Sequence, residues 1–163
     1  MAREEFPVTP ATRFLKANGV VWQSRMFDYE DHGGTRASSA ALGLDEHAIA
    51  KTLIMEDDRR SPLCILMHGD MEVSARELGR QLGLRNVSMC APDTAQKHSG
   101  YLVGGTSPFG LRKAMPIYAE ATLFELPTLW LNGGKRGFLV GIDPGILRTL
   151  LDAQPVTVAR PRG

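Results

Sequence analysis

The stretch Gly104-Gly105-Thr106-Ser107-Pro108-Phe109-Gly110 puts two adjacent glycines, two hydroxyls and a proline into one short loop. Adjacent glycines let a ligand approach the backbone closely. Exposed N–H groups in such a turn can hold a carbonyl oxygen or an oxyanion. Gly105 is the position where a Cβ would intrude on that ligand, and a positive φ is expected there. Pro108 stiffens the exit. The loop lacks both GxxxxGK[ST] and GxGxxG, so it is neither a P-loop nor a dinucleotide loop. The same residues also suit a plain tight connection between a helix and a strand.

Lys51 opens the apolar run Lys51-Thr52-Leu53-Ile54-Met55. With a period of two it shares a face with Leu53 and Met55. If that face is core, the ammonium must reach a cleft or a partner; otherwise it snorkels to water. Two basic pairs follow, Arg112-Lys113 after the glycine loop and Lys135-Arg136 in the turn Asn132-Gly133-Gly134-Lys135-Arg136-Gly137. If both flank one pocket they make a compact anion site. If not, they are solvated turns.

Other chemistries lack their motifs. No GxSxG elbow is present, and His32, His47, His68 and His98 lie in unrelated contexts. No HExxH, CxxC or histidine pair at i, i+4 exists, so neither a metal nor another cofactor is expected. Cys64 and Cys90 sit among apolar residues and are expected in the core rather than as nucleophiles. A net charge of +1 and a pI of about 7.8 give no field for long duplexes, and DNA is not an expected partner. Met1–Glu5 has no apolar leader region and no run reaches a membrane span of about 18 residues, so the expected location is the cytoplasm, with no membrane partner.

The elements that must position these residues are well punctuated. Thr9-Pro10 caps a helix over 11–18, and Gly19 stops it. Strands are expected at 20–28, 50–55, 63–68, 87–90, 117–126, 129–131 and 138–142. Helices are expected at 38–42, after Ser74 with its capping box to Glu77, after a cap at Asp93, and over 145–152. Hairpins at 56–62 and 132–137 imply antiparallel pairs, which excludes a doubly wound parallel sheet. The 163 residues, 43% apolar and 23% charged, suffice for one domain with its own core. The expected fold is α/β: a mixed, strongly curved, barrel-like sheet with helices packed around it.

Five segments together resemble the YbaK/EbsC family, which is related to the inserted editing domain of prolyl-tRNA synthetases. They are Thr9-Pro10-Ala11, Tyr29-Glu30, Ala50-Lys51-Thr52-Leu53, the loop Gly100–Gly110, and Asn132–Gly137. The resemblance runs in order over about residues 9–160. It implies that residues 1–163 form a single YbaK-like aminoacyl-tRNA editing domain. The implied activity is trans-editing: hydrolysis of the ester of mischarged tRNA, Cys-tRNA(Pro) or another small mischarged residue. The family lysine falls on Lys51, and the family GxxxP loop on Gly104–Pro108. Lys51, Gly104, Gly105, Thr106 and Ser107 are then the implied catalytic set. Phe27, Tyr29, Thr52, Pro108, Asn132, Lys135 and Arg136 are the implied substrate-binding set. The implied partners are the aminoacyl-tRNA 3′ end and a prolyl-tRNA synthetase. Phe27 stands where the family has a tyrosine and Asn132 where it has a serine. Phe138-Leu139-Val140 lacks an acidic residue of the family pattern. These departures fall on or beside the implied pocket and bear on the amino acid accepted. A non-catalytic module for tRNA ends or nucleotides, and a hydrolase of free small-molecule esters, are the alternatives from other classes.

Overall fold

The computed structural model describes residues 5–162. The expected absence of a leader rests on residues 1–5, most of which lie outside that range. Helix α1 (Pro10–Ala17) begins as its sequence dictates. Thr9 Oγ1 accepts the Thr12 N–H at 3.1 Å, and Thr12 Oγ1 accepts the Thr9 N–H at 2.9 Å. Helices α2 (Gly34–Leu42), α3 (Ala75–Leu82) and α4 (Pro92–Ser99) each end on a left-handed glycine, Gly43, Gly83 and Gly100. The expected cap at Asp93 is displaced: α4 starts at Pro92 behind Ala91, and Asp93 sits in the first turn. The Ser74 box is half made. Ser74 Oγ accepts the Glu77 N–H, but the Glu77 carboxylate turns to Arg80. Helix α5 (Ile146–Leu151) completes the set.

Ten strands are found among the described residues: β1 (Gln23–Met26), β2 (Ala50–Glu56), β3 (Pro62–His68), β4 (Met71–Val73), β5 (Ser88–Met89), β6 (Ile117–Glu120), β7 (Leu129–Asn132), β8 (Phe138–Ile142), β9 (Gln154–Val156) and β10 (Ala159–Pro161). Five form the central sheet in the order β5-β2-β3-β6-β9, three form β1-β8-β7, and β4 pairs with β10. Both expected hairpins are present, β2 with β3 and β7 with β8, while β3-β6 and β6-β9 run parallel. The sheet system is therefore mixed, as expected.

Two expectations need correction. The strand placed at 117–126 stops at Glu120 and continues as a 3₁₀ turn, Ala121–Glu125. The buried Glu120 carboxylate accepts the N–H groups of Val158 and Ala159 at 2.7 and 2.8 Å, which fixes the chain where it turns. The barrel-like curl is absent. Among the described residues the strands fall into three sheets, and no sheet closes on itself. The three-stranded sheet meets β2 through one bridge, Ile49 to Trp130, and β5 meets β2 only at Met55 and Glu56. Between those two contacts the edge of β2 is left open.

One apolar cluster joins α1 to β7 and β8 through Leu15, Phe109, Leu131 and Phe138. A second joins the central sheet to α3 through Ile65, Met67, Leu78 and Val87. Cys64 is fully buried and Cys90 nearly so, as expected. No described helix is long and apolar enough to cross a membrane.

Candidate active site

A cavity of about 510 Å³ occupies the open edge of β2. It brings together many of the residues singled out by the sequence. Lys51 and Thr52 line it from β2, and Gly104 and Thr106 from the glycine loop. Phe27, Tyr29, Asn132 and Arg136 complete the match. The structure separates four others from its wall. Gly105, Ser107 and Pro108 are buried behind the loop, and Lys135 is exposed on the neighbouring turn. The Ser107 hydroxyl faces inward and accepts the Phe109 N–H at 3.2 Å, so it offers nothing to a ligand. Arg112-Lys113 do not line the cavity; their N–H groups donate to Ser99 O and His98 O. Of the two basic pairs, only the later one borders it.

The loop is clamped onto the turn between β7 and β8. Asn132 Nδ2 donates to Gly104 O at 2.9 Å, and Arg136 Nε donates to Val103 O at 2.9 Å. The Arg136 guanidinium also lies over the Tyr29 ring, 5.1 Å from its centre. The expected strain sits one residue earlier than proposed. Gly104, not Gly105, has a positive φ, +91°, and a Cβ there would lie 2.8 Å from Tyr29 Oη. A Cβ on Gly105 would meet the backbone of Lys135 and Arg136, with Arg136 N at 3.0 Å, rather than a ligand. The Gly105 N–H donates to Leu102 O at 2.8 Å. The N–H groups of Gly104, Thr106 and Ser107 have no protein partner among the described residues.

Lys51 shares its face with Leu53 and Met55, which pack in the α3 cluster. Its ammonium is half-buried and donates to Met71 O on β4. Burial holds its pKa below the ordinary lysine value, and the Glu72 carboxylate works against that shift. Beyond it lies a small ionic framework. Arg162 Nη1 donates to Glu46 Oε2 at 2.8 Å and to Gly69 O at 3.2 Å, and Thr35 Oγ1 donates to Glu46 Oε2 at 2.8 Å. Sequence reasoning missed Thr35, Glu46 and Arg162, because no spacing links residues so far apart.

The thiols are poor nucleophiles. Burial pushes Cys64 up to about 12, and burial with the Glu56 charge pushes Cys90 up to about 11. Folding does assemble two sets of metal-type donors that linear motifs could not reveal: His47, His68 and Asp70, and Glu56, Cys90 and His98. In the first, both His68 nitrogens are occupied, by His47 O and by Thr122 Oγ1, each at 2.6 Å. In the second, the raised thiol keeps its proton. Neither is a ready ligand set.

Residues 32–150 match the aminoacyl-tRNA editing domain family. An Enterococcus faecalis protein named "Putative Cys-tRNA(Pro)/Cys-tRNA(Cys) deacylase EbsC" is 26% identical over 147 residues, 90% of each sequence. A proline–tRNA ligase of Thermodesulfovibrio yellowstonii is 25% identical over 146 residues, 90% of this chain but 24% of the ligase. The crystal structure of "a putative trans-editing enzyme for prolyl tRNA synthetase" superposes with a TM-score of 0.79 at 20% identity, covering 96% of this chain and all of that one, 100%. The chain belongs to the aminoacyl-tRNA editing domain family. Its members include proteins named as aminoacyl-tRNA deacylases, which are hydrolases of the carboxylic ester between amino acid and tRNA.

Proposed function

We propose that this protein is a trans-acting, cytoplasmic deacylase that hydrolyses the ester of tRNA carrying a small wrong amino acid, with Cys-tRNA(Pro) the leading substrate. The observation that carries the reading is the cavity itself, whose lining includes Lys51 and two loop residues with free N–H groups, Gly104 and Thr106. The similarity to EbsC supports the substrate, and that to a proline–tRNA ligase supports a prolyl-tRNA synthetase as the source of mischarged tRNA.

In this reading the ester carbonyl oxygen sits at the Gly104 and Thr106 N–H groups, which are free and belong to residues of the cavity wall. Donors fixed before the reaction stabilise the developing oxyanion by about 3–4 kcal/mol. Gly105 takes no part as a donor, because its N–H is already used. The Lys51 ammonium supplies positive charge from β2. Phe27, Tyr29 and Thr52 border the amino acid, and exposed Lys135 meets acceptor-stem phosphates. Arg136, tied to Val103 O and Tyr29, holds the loop and adds charge. Glu30, Asp31 and His32 share the cavity wall, and among the described residues none of them is hydrogen-bonded to the glycine loop. The nucleophile is a bound water, or the thiol of the substrate when the amino acid is cysteine.

The deciding experiment incubates the protein with a panel of mischarged tRNAs and with the matching free aminoacyl esters. Turnover of charged tRNA well above that of the free ester supports the proposal. Equal turnover makes the protein a small-molecule esterase. Binding of tRNA ends without turnover makes it a recognition module.

A further inference from the structure

The open edge of β2 carries polar groups that the protein does not satisfy. In β3, the Cys64 N–H donates to Pro116 O, toward β6. Hydrogen bonding alternates along a strand, so Leu63, Ile65 and Met67 face β2. These pair with Met55, Leu53 and Lys51. Ala50, Thr52 and Ile54 therefore turn their N–H and carbonyl groups to the opposite edge. The Cys90 N–H donating to Ile54 O at 3.1 Å agrees with this phase. Thr52 lies between the β5 contact at Met55 and the single bridge at Ile49. That stretch borders the cavity, which no residue of β3 lines. Neither the Thr52 N–H nor its carbonyl has a partner among the described residues. Its Oγ1 is buried and also unpartnered. A buried hydroxyl left unpaired costs about 1–3 kcal/mol, which a ligand donor reaching Thr52 Oγ1 would recover.

We infer that Thr52 reads the free α-ammonium group of the aminoacyl ester, with its backbone carbonyl oxygen and Oγ1 as acceptors, so that N-acylated aminoacyl esters are rejected. An ammonium brings three donors and no acceptor, which suits two fixed acceptors and one water. Glu30 and Asp31 share the cavity wall with Lys51 and Arg136, so the lining charges balance and the selection rests on the two Thr52 acceptors. An acylated nitrogen keeps one N–H, loses the charge and adds bulk. One acceptor is then left unpaired, which is the situation that binding sites discriminate against most strongly. The Thr52 N–H remains for a bound water or a ribose hydroxyl oxygen of the same ligand, since the ester carbonyl is held by the glycine loop. This inference rests on the aminoacyl-ester reading of the cavity and adds what within that ester is recognised.

The test uses the full-length protein and two adenosines, 3′-deoxy-3′-(alanylamino)adenosine and its N-acetyl derivative, which cannot be hydrolysed. Calorimetry should show the N-acetyl compound binding at least ~30-fold more weakly, as expected for one lost charged hydrogen bond and one orphaned acceptor. Thr52→Val should weaken the amine compound by about tenfold and leave the N-acetyl compound unchanged, with Thr52→Ser restoring the difference. Thr52→Val should also raise Tm, since it removes a buried hydroxyl without a partner. Equal affinities for the two compounds, or equal turnover of alanyl- and N-acetylalanyl-tRNA, overturn the inference and leave the deacylase reading intact. Amine-selective binding without turnover overturns the deacylase reading and supports the inference. Where neither compound binds, the charged tRNAs decide: turnover of alanyl-tRNA well above that of N-acetylalanyl-tRNA supports the inference, and equal turnover overturns it.

Discussion

The two ends of the cavity are built by different means. At the loop end, position is set by backbone. Gly104 adopts a conformation that other residues resist, and two side chains from the β7–β8 turn fasten the loop by its carbonyls. At the lysine end, position is set by charge. Lys51 reaches Met71 O, and Arg162, Glu46 and Thr35 brace the neighbouring segment. A backbone device tolerates almost no change of residue type. A charge device can lose a member and relax, because exposed ion pairs contribute only about 0–1 kcal/mol each.

The largest effect is therefore expected from Gly104→Ala. The left-handed φ costs an alanine about 1–2 kcal/mol, and the new Cβ collides with Tyr29 Oη. Displacing the loop N–H groups by about 1 Å should lower single-turnover deacylation by about 100-fold. Thermal unfolding on the same sample should show only the smaller strain. A variant with full activity and lowered Tm would make the loop a connection and nothing more.

Lys51→Ala comes next. It should lower deacylation at least ~tenfold, about 1.4 kcal/mol of transition-state stabilisation, while circular dichroism shows the fold retained. Wild-type rates would remove Lys51 from the site and leave catalysis to the loop end alone. Lys135→Ala, outside the cavity wall, should act only on binding. KM for charged tRNA should rise about threefold, kcat should hold, and the salt slope of binding should fall by about one. An unchanged slope would confine Lys135 to the turn.

The smallest effect is on stability against pH. Burial holds Lys51 below its ordinary value of 10.5. Between that lowered pKa and 10.5 the unfolded protein keeps a proton that the folded protein has lost, so stability rises with pH through this window. Wild type measured against Lys51→Met by urea unfolding should show that rise. A flat difference would mean that Lys51 titrates alike in both states.

The same contrast explains what could be read from residues alone. Local devices were legible: the Thr9-Pro10 cap, both hairpins, and the glycine loop with its partner turn at 132–137. Each leaves its residue types at fixed short spacing. The lysine end was legible only as Lys51, since Thr35, Glu46 and Arg162 meet through folding. Strands β4, β9 and β10 are three residues each, too short to carry a period of two. Gly104 and Gly105 are the same residue type, so the sequence pattern does not say that the positive φ falls on Gly104 and not on Gly105. Only the Tyr29 ring and the Lys135–Arg136 backbone distinguish them. The expected barrel failed for a related reason. Patterning locates strands, but the gap between β5 and β7 along β2 depends on where distant strands stop.

The Glu46–Arg162 pair has a kinetic consequence. It joins residues 116 apart in the sequence, whereas Asn132 and Gly104 are 28 apart and Lys51 and Met71 are 20 apart. Closing a longer loop costs more conformational entropy, and distant contacts form late in folding. Protein diluted from denaturant should therefore recover its far-ultraviolet ellipticity before its deacylase activity. The lag should shorten but persist in Arg162→Ala, because the Thr9 to Gly133 hydrogen bond spans 124 residues and still has to close.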